Sequence, residues 1–204
     1  MEPKEIFEIL AVFLTVIYSI PQVAKVYLSN FPKAVSGITT VLMVFSSLSM
    51  LLFGYFTTNI TVQSAYLFLF LFNLIVLLLI LQKAGVNKLR IAITSIVFAV
   101  ALACTAIFLP KDTFGYFGGL VSSFMVIPQG FKMIRQREAT GVSGLSYLLM
   151  AFASLSWLAY GHLTENMLLV LPNLVVFPTA ALVYINVLKY RSANYFYQSV
   201  KAAR

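Results

Sequence analysis

Two Pro-Gln pairs, Pro21-Gln22 and Pro128-Gln129, are the residues of this sequence whose types and spacing point most directly to a mechanism. Proline removes a backbone hydrogen bond and its ring clashes with the preceding helical turn, so each pair predicts a kink in its helix. Each glutamine can supply side-chain groups to the freed backbone or close a gate. A static kink that only shapes the packing is the alternative.

Residues that could carry catalysis or bind a metal ion are sparse. The sequence has no paired carboxylates, no Ser–His constellation and no Gly-rich phosphate loop, so we do not expect an enzyme. His162 is the only histidine and Cys104 the only cysteine, and they fall in different apolar spans. A metal site built on these two side chains is improbable, and no motif implies a cofactor.

The two Pro-Gln pairs belong to an internal duplication with an offset of 107 residues. Over residues 20–59 and 127–166, 17 of 40 ungapped positions are identical, including Pro-Gln, Lys, Ser-Gly, Gly, Thr and Asn. Chance matches in an apolar composition would not keep these polar and turn-forming residues in step. Ser36 and Ser143 each precede a Gly and an apolar run, which favours a helix N-cap over a contact with substrate.

The composition indicates a membrane protein. Of 204 residues, 61% are hydrophobic and 10% are charged, and a helix needs ~20 apolar residues to cross a bilayer. The chain contains seven such predicted spans: 5–28, 38–56, 60–82, 89–109, 113–134, 144–162 and 166–189.

The cations predict the orientation in the membrane. Twelve of the 14 lysines and arginines fall on one face of the predicted topology, and only Lys4 and Lys111 fall on the other. The positive-inside rule places the twelve in the cytoplasm, with the N-terminus outside and the C-terminus inside. The net charge of +8 is therefore read as a membrane signal and not as a sign of nucleic-acid binding.

The same topology explains the odd number of spans. Both spans that contain a Pro-Gln pair end at the cytoplasmic face, so the two three-helix repeats point the same way. One extra helix must then return the chain across the membrane. We therefore expect an all-α membrane protein with seven transmembrane helices in a three-one-three plan. The predicted units are a first repeat, a linker helix, a second repeat and a cytoplasmic tail, at 1–87, 88–110, 111–191 and 192–204.

Both repeats resemble the SWEET and SemiSWEET sugar transporters of the PQ-loop superfamily. The resemblance rests on IPQ, Lys132, TGVSGLS, SLSWLAYG and LPN in the second repeat, together with the matching text of the first. It implies passive, bidirectional sugar movement through a pocket between two triple-helix bundles. It also implies that Trp157 and Asn173 bind substrate, and that Pro21, Gln22, Pro128 and Gln129 form the hinge or gate.

The first repeat departs from this pattern, because Met50 and Tyr66 stand at the positions that match Trp157 and Asn173. Asn73 lies two helical turns beyond Tyr66 on roughly the same face, and is the candidate to replace the missing amide. The pocket is then asymmetric. Plant members also carry a proline near the start of the second helix of each repeat, which is absent here, so the text is closer to SemiSWEETs.

Trp157 and Asn173 also have simpler interpretations. A tryptophan near a helix end can anchor it at the membrane interface, and an intramembrane asparagine can make an interhelical hydrogen bond. The predicted depths favour a pocket, since Trp157 lies ~6–9 Å and Asn173 ~10–12 Å below the outer ends of their helices at ~1.5 Å per residue.

We therefore expect a sugar uniporter of the cell membrane that takes a mono- or disaccharide and can form a homo-oligomer. The alternatives are a carrier of amino acids or other small metabolites, or a seven-helix sorting receptor that transports nothing. Glu8 is the acidic residue that a longer first helix would draw into the bilayer, where it could couple protons.

Overall fold

The protein is described by a computed structural model that covers residues 2–30, 32–87 and 110–202, with side chains as far as residue 191. Within these ranges the chain is helical and contains no strand. The helices are α1 (Pro3–Leu28), α2 (Gly37–Phe56), α3 (Ile60–Lys83), α4 (Lys111–Phe124), α5 (Ile127–Gln136), α6 (Gly144–Leu163) and α7 (Met167–Ala202). The predicted linker helix, 89–109, lies outside the described residues.

These helices make six membrane-length spans, because α4 and α5 together cover Lys111–Gln136 as one span. For the six predicted spans that the structure describes, the starts and ends agree with the helices to within about two residues, except for the end of the last span. The last helix, α7, continues to Ala202, well beyond its predicted end at 189 and into the predicted tail.

The surface of the described bundle is apolar, and polar side chains lie inside it. Large apolar residues on every long helix are exposed, for example Phe13, Ile60 and Leu182. Thr15, Ser46, Ser47, Ser154, Asn73 and Asn173 are instead buried. Lipid cannot satisfy a hydroxyl or amide group, so these side chains turn toward other helices.

The helices of the two repeats pack in matching ways. In each repeat the third helix packs against both the first and the second, as α3 does with α1 and α2, and α7 with α4 and α6. Between repeats, α1 packs against α6 and α4 against α2, so the first helix of each repeat meets the second helix of the other. This reciprocal packing relates the repeats by an approximate twofold axis.

The helix starts confirm the N-cap prediction. The Ser36 hydroxyl accepts a hydrogen bond from the Thr39 N–H at 3.2 Å, and the Ser143 hydroxyl accepts one from the Ser146 N–H at 3.3 Å. Each bond satisfies one of the backbone donors that a helix leaves unpaired in its first turn. The two caps begin α2 and α6 at matching positions of the duplication.

Candidate functional site

A small cavity lies between the two repeats, and the five predicted pocket residues all line it: Met50, Tyr66, Asn73, Trp157 and Asn173. They come from α2, α3, α6 and α7, so the cavity is shared by both repeats. Its volume is about 40 Å³. That is room for a few water molecules, and it is far below the ~300–1,000 Å³ of typical small-molecule pockets.

Trp157 stands inside the bundle and is only 3% exposed, so the indole faces the other repeat and not the lipid. Its Nε1–H donates to the Thr15 hydroxyl at 2.8 Å, which is a bond between repeats. The Tyr66 ring lies 6.0 Å from it, tilted by 37°, and the Tyr160 ring lies 5.9 Å away, nearly edge-on. These contacts fix the orientation of a flat apolar face that can stack on a sugar ring.

The two asparagines each donate to a backbone carbonyl. Asn173 donates to the Leu169 carbonyl of its own helix at 2.7 Å. Asn73 donates to the Met43 carbonyl at 3.3 Å and to the Ser47 hydroxyl at 3.5 Å. An amide has two donor hydrogens and an acceptor oxygen, so both side chains keep the oxygen for a ligand, and Asn173 also keeps a hydrogen. Asn173 matches Tyr66 in the duplication, and Asn73 lies ~10 Å along α3 from Tyr66. The two amides therefore sit at different depths in the bundle.

Small hydroxyl side chains complete the lining, and the sequence reasoning missed them. Ser46 donates to the Gly118 carbonyl at 3.1 Å and also contacts the Ser122 hydroxyl, which joins α2 to α4. Ser47, Ser154 and Thr15 line the same cavity. The available signal was a set of serines and threonines inside apolar spans, where a hydroxyl facing lipid is unfavourable.

At the end of the bundle that carries the Pro-Gln pairs, which we call the Pro-Gln end, each glutamine binds the backbone of the other repeat. Gln22 accepts from the Ser143 N–H at 2.9 Å and donates to the Gly141 carbonyl at 3.2 Å. Gln129 accepts from the Ser36 N–H at 2.8 Å and donates to the Ala34 carbonyl at 2.8 Å. We call this reciprocal pair the glutamine clasp.

The loops held by the clasp also contact each other directly. The Ala34 N–H donates to the Thr140 carbonyl at 3.2 Å, and Lys132 donates to the Val35 carbonyl at 2.6 Å. Gly141 has φ +84, and a Cβ there would lie 2.6 Å from the Cβ of Pro32. Both facts require glycine, because a side chain would be strained and would force the loops apart. The contact also shows that the Pro-Gln pairs of both repeats meet at one end, so the repeats are parallel.

The two prolines predicted as hinges sit in unlike settings. Pro21 lies inside α1, which continues through it. Pro128 lies in the first turn of α5, after a break at Met125 and Val126 that separates α5 from α4. Proline has no N–H to donate to the preceding turn, and it is well tolerated at a helix start. These properties account for the break between α4 and α5.

The opposite end, which we call the Thr-Asn end, contains the loops Thr57–Asn59 and Thr164–Asn166 and is also bridged between repeats. The Thr61 hydroxyl donates to the carboxylate of Glu8, which joins α3 to α1 within the first repeat. Tyr160 of α6 packs in one apolar cluster with Ala11, Phe53 and Val62 of the first repeat, and this packing bridges the repeats.

The matching positions on the other side of the twofold axis are apolar. Phe53 corresponds to Tyr160, and it packs on Gly115, where a Cβ would lie 2.8 Å from the Phe53 ring and 3.0 Å from Leu168. Gly115 corresponds to Glu8, and Leu168 to Thr61. The Thr-Asn end therefore has a polar contact on one side of the axis and apolar packing on the other.

Comparison with known proteins gives matches in sequence and in fold. Residues 115–194 match the family model described as "Sugar efflux transporter for intercellular exchange". The "Sugar transporter SemiSWEET" of Escherichia coli (strain UMEA 3162-1) is 31% identical over 67 residues, which are 33% of this chain and 75% of that protein. A solved structure of a eukaryotic SWEET transporter covers 94% of this chain and all of its own, with 14% identity and a TM-score of 0.63.

The second repeat thus matches the family model, one relative matches over most of its own length, and the solved structure shares the fold. The parallel repeats and the cavity between them agree with this assignment. The chain belongs to the SWEET and SemiSWEET family.

Proposed function

We propose that this protein is a passive, bidirectional sugar carrier whose substrate binds in the cavity between the repeats. The observation that carries the proposal is one cavity that combines a fixed indole face, two asparagine amides and several hydroxyl groups. Sugar hydroxyls can exchange water for amide and hydroxyl hydrogen bonds while the ring rests on Trp157.

The chemistry of the lining favours a neutral substrate. The described residues that line the cavity carry no charged side chain. An amino acid would bring an ammonium and a carboxylate into this interior, and unpaired charges there are strongly unfavourable. A neutral polyol needs only hydrogen bonds. Flux of labelled sugars and amino acids into proteoliposomes tests this choice, and transport of amino acids alone would overturn it.

Contacts between repeats at both ends support an alternating-access cycle. The glutamine clasp closes the Pro-Gln end, and packing of Tyr160 and of Phe53 against the other repeat closes the Thr-Asn end. In this conformation the cavity is too small for a sugar. Entry from either side then requires one set of contacts to open while the other holds, with Pro21 and Pro128 allowing the helices to bend.

We expect transport to be uniport, with no coupling to protons. Proton coupling generally needs an ionisable group that lies inside the membrane and changes charge during the cycle. Among the described acidic residues, Glu8 is the deepest in its helix, and it lies at the Thr-Asn end away from the substrate cavity. In proteoliposomes an inward proton gradient should not concentrate sugar above equilibrium. Accumulation that a protonophore abolishes, and that Glu8→Gln removes, would refute uniport.

The proposed orientation places the Pro-Gln end in the cytoplasm of a cell whose plasma membrane holds the protein. Single cysteines at Lys33, Arg137 and Ala203 should be protected from an impermeant external thiol reagent in intact cells, because the predicted topology assigns these positions to the lysine- and arginine-rich face. A cysteine at Thr58 should be labelled. Labelling of Arg137→Cys without permeabilisation would reverse the orientation.

A further inference from the structure

Three hydroxyl groups in the interior, on Ser19, Thr39 and Ser146, have no hydrogen-bond partner among the described residues. These residues are only 4%, 2% and 2% exposed. A buried hydroxyl without a partner is destabilising, so such groups are rare in proteins and call for an explanation.

Other serines on these helices behave differently. Ser47 donates to the Met43 carbonyl at 2.7 Å, and Ser154 donates to the Met150 carbonyl at 2.9 Å. A helix thus commonly offers its own backbone as the partner of a buried hydroxyl. The three exceptions therefore need a cause specific to their position.

That position is a second cavity. All three side chains line a space of about 30 Å³, which also touches Gln22 and Gln129 of the clasp. Thr39 and Ser146 occupy matching positions of the two repeats, so they approach it from opposite sides. The second cavity lies between the clasp and the substrate cavity.

The two cavities are neighbours. Both are lined by Tyr18, Met43, Asn73 and Met150, so a ligand that spreads these side chains would occupy both spaces. The described residues around the second cavity are uncharged. Its free hydroxyl groups can donate and accept, which matches the hydroxyl groups of a polyol and not a charged ligand.

We propose that the second cavity is a hydroxyl-binding subsite that holds the second ring of a disaccharide, while the first ring rests on Trp157. This inference rests on the proposed sugar transport. In this conformation the two cavities have volumes of about 40 and 30 Å³, which are too small for a sugar ring. When the repeats separate and substrate enters, ring hydroxyls bond to Ser19, Thr39 and Ser146. The subsite lies toward the Pro-Gln end, so it would engage the part of the substrate nearest the clasp.

The test compares one monosaccharide with one disaccharide, glucose and maltose, in Thr39→Val and Ser146→Ala proteins. For each variant we expect KM for maltose to rise about threefold to tenfold, because one ring hydroxyl loses its partner, while KM for glucose stays unchanged. Thermal stability of the purified protein should stay equal or rise, since the substitution removes an unsatisfied buried group. A merely structural role would instead lower stability.

Thr40→Val is the matched control. Thr40 follows Thr39 on the same helix and lines the same cavity, but its hydroxyl already donates to the Ser36 carbonyl at 3.0 Å. We expect its ratio of maltose to glucose KM to equal that of the wild type.

Each other outcome decides against the subsite. Unchanged maltose KM in both variants overturns it, and so does an equal rise for both sugars with a lower melting temperature. A wild-type protein that carries glucose but not maltose overturns the subsite and leaves sugar transport standing. A wild-type protein that carries neither sugar overturns both the proposed function and the subsite.

Discussion

The Asn173→Ala protein is expected to lose about tenfold to a hundredfold of sugar flux, with normal amounts of folded protein in the membrane. The amide has acceptor and donor capacity beyond its 2.7 Å bond to the Leu169 carbonyl. Loss of hydrogen bonds to a substrate held away from water costs about 1–3 kcal/mol, and each ~1.4 kcal/mol is tenfold. Uptake of labelled sugar into proteoliposomes at matched protein content measures the effect.

Folding should survive this change. The Leu169 carbonyl belongs to a helix in which the backbone already provides a donor, so removal of the Asn173 amide leaves no orphan group. Thr179→Ala is the control, because Thr179 lies on the same helix and also donates to a carbonyl four residues earlier, at 2.8 Å. It does not line the cavity. Full flux from a well-expressed Asn173→Ala protein would reassign Asn173 to packing.

To test whether Trp157 binds substrate without a loss of folding, the substitution must remove less volume than alanine does. Replacing a buried tryptophan by alanine leaves a cavity and costs about 3–5 kcal/mol of stability. Trp157→Phe keeps an aromatic face but loses the Nε1–H bond to Thr15. We expect it to retain folding and to transport less well than a Met50→Leu protein, which is altered at the matching position of the first repeat.

The second large effect is expected at the glutamine clasp. Gln129→Leu should raise the rate at which the Pro-Gln end opens by about thirtyfold or more, because it leaves two buried backbone groups unpaired at about 1–3 kcal/mol each. These groups are the Ser36 N–H and the Ala34 carbonyl, each bonded at 2.8 Å. Opening admits water, which satisfies them. Gln22→Leu should have a smaller effect, since Gln22 is only half-buried and its bond to Gly141 is longer, at 3.2 Å.

The measurement uses a cysteine at Val76, which lines the second cavity beside the clasp, in a chain whose Cys104 is replaced by alanine. An impermeant thiol reagent is applied to inside-out membrane vesicles, and the modification rate is compared among variants. Gln136→Leu is the control, because Gln136 lies on the same helix but is exposed. If Gln129→Leu and Gln136→Leu react at equal rates, the clasp is not a gate.

Much of this architecture is encoded locally and could be predicted. Apolar length determines where a span can lie, and the duplication aligns the repeats, so the starts and ends of most spans agree with the structure. A serine before a glycine and an apolar run begins a helix through a bond three residues away, so Ser36 and Ser143 were predictable. The helical rise of ~1.5 Å per residue was sufficient to predict that Trp157 and Asn173 lie at similar depths in their helices.

The glutamine clasp shows what local patterns cannot determine. From the sequence alone, Gln22 and Gln129 are expected to serve the backbone freed by proline or to close a gate. Their partners are loops of the other repeat, 93 to 121 residues away along the chain. Which repeat supplies the partner depends on how the two bundles dock, and no pattern within one helix contains that information.

The rotation of each helix about its own axis was decided only by the tertiary structure. Membrane helices are apolar on nearly all sides, so no hydrophobic stripe shows which side chains face inward. The bond from Trp157 to Thr15, the bond from Thr61 to Glu8, and the meeting of Ser19, Thr39 and Ser146 at one cavity all depend on that rotation. The spans, the duplication and the family resemblance could be read directly from the chain, because they follow from apolar length and residue identity. The arrangement of hydroxyl and amide groups around the cavities required the packing of helices that are distant along the chain.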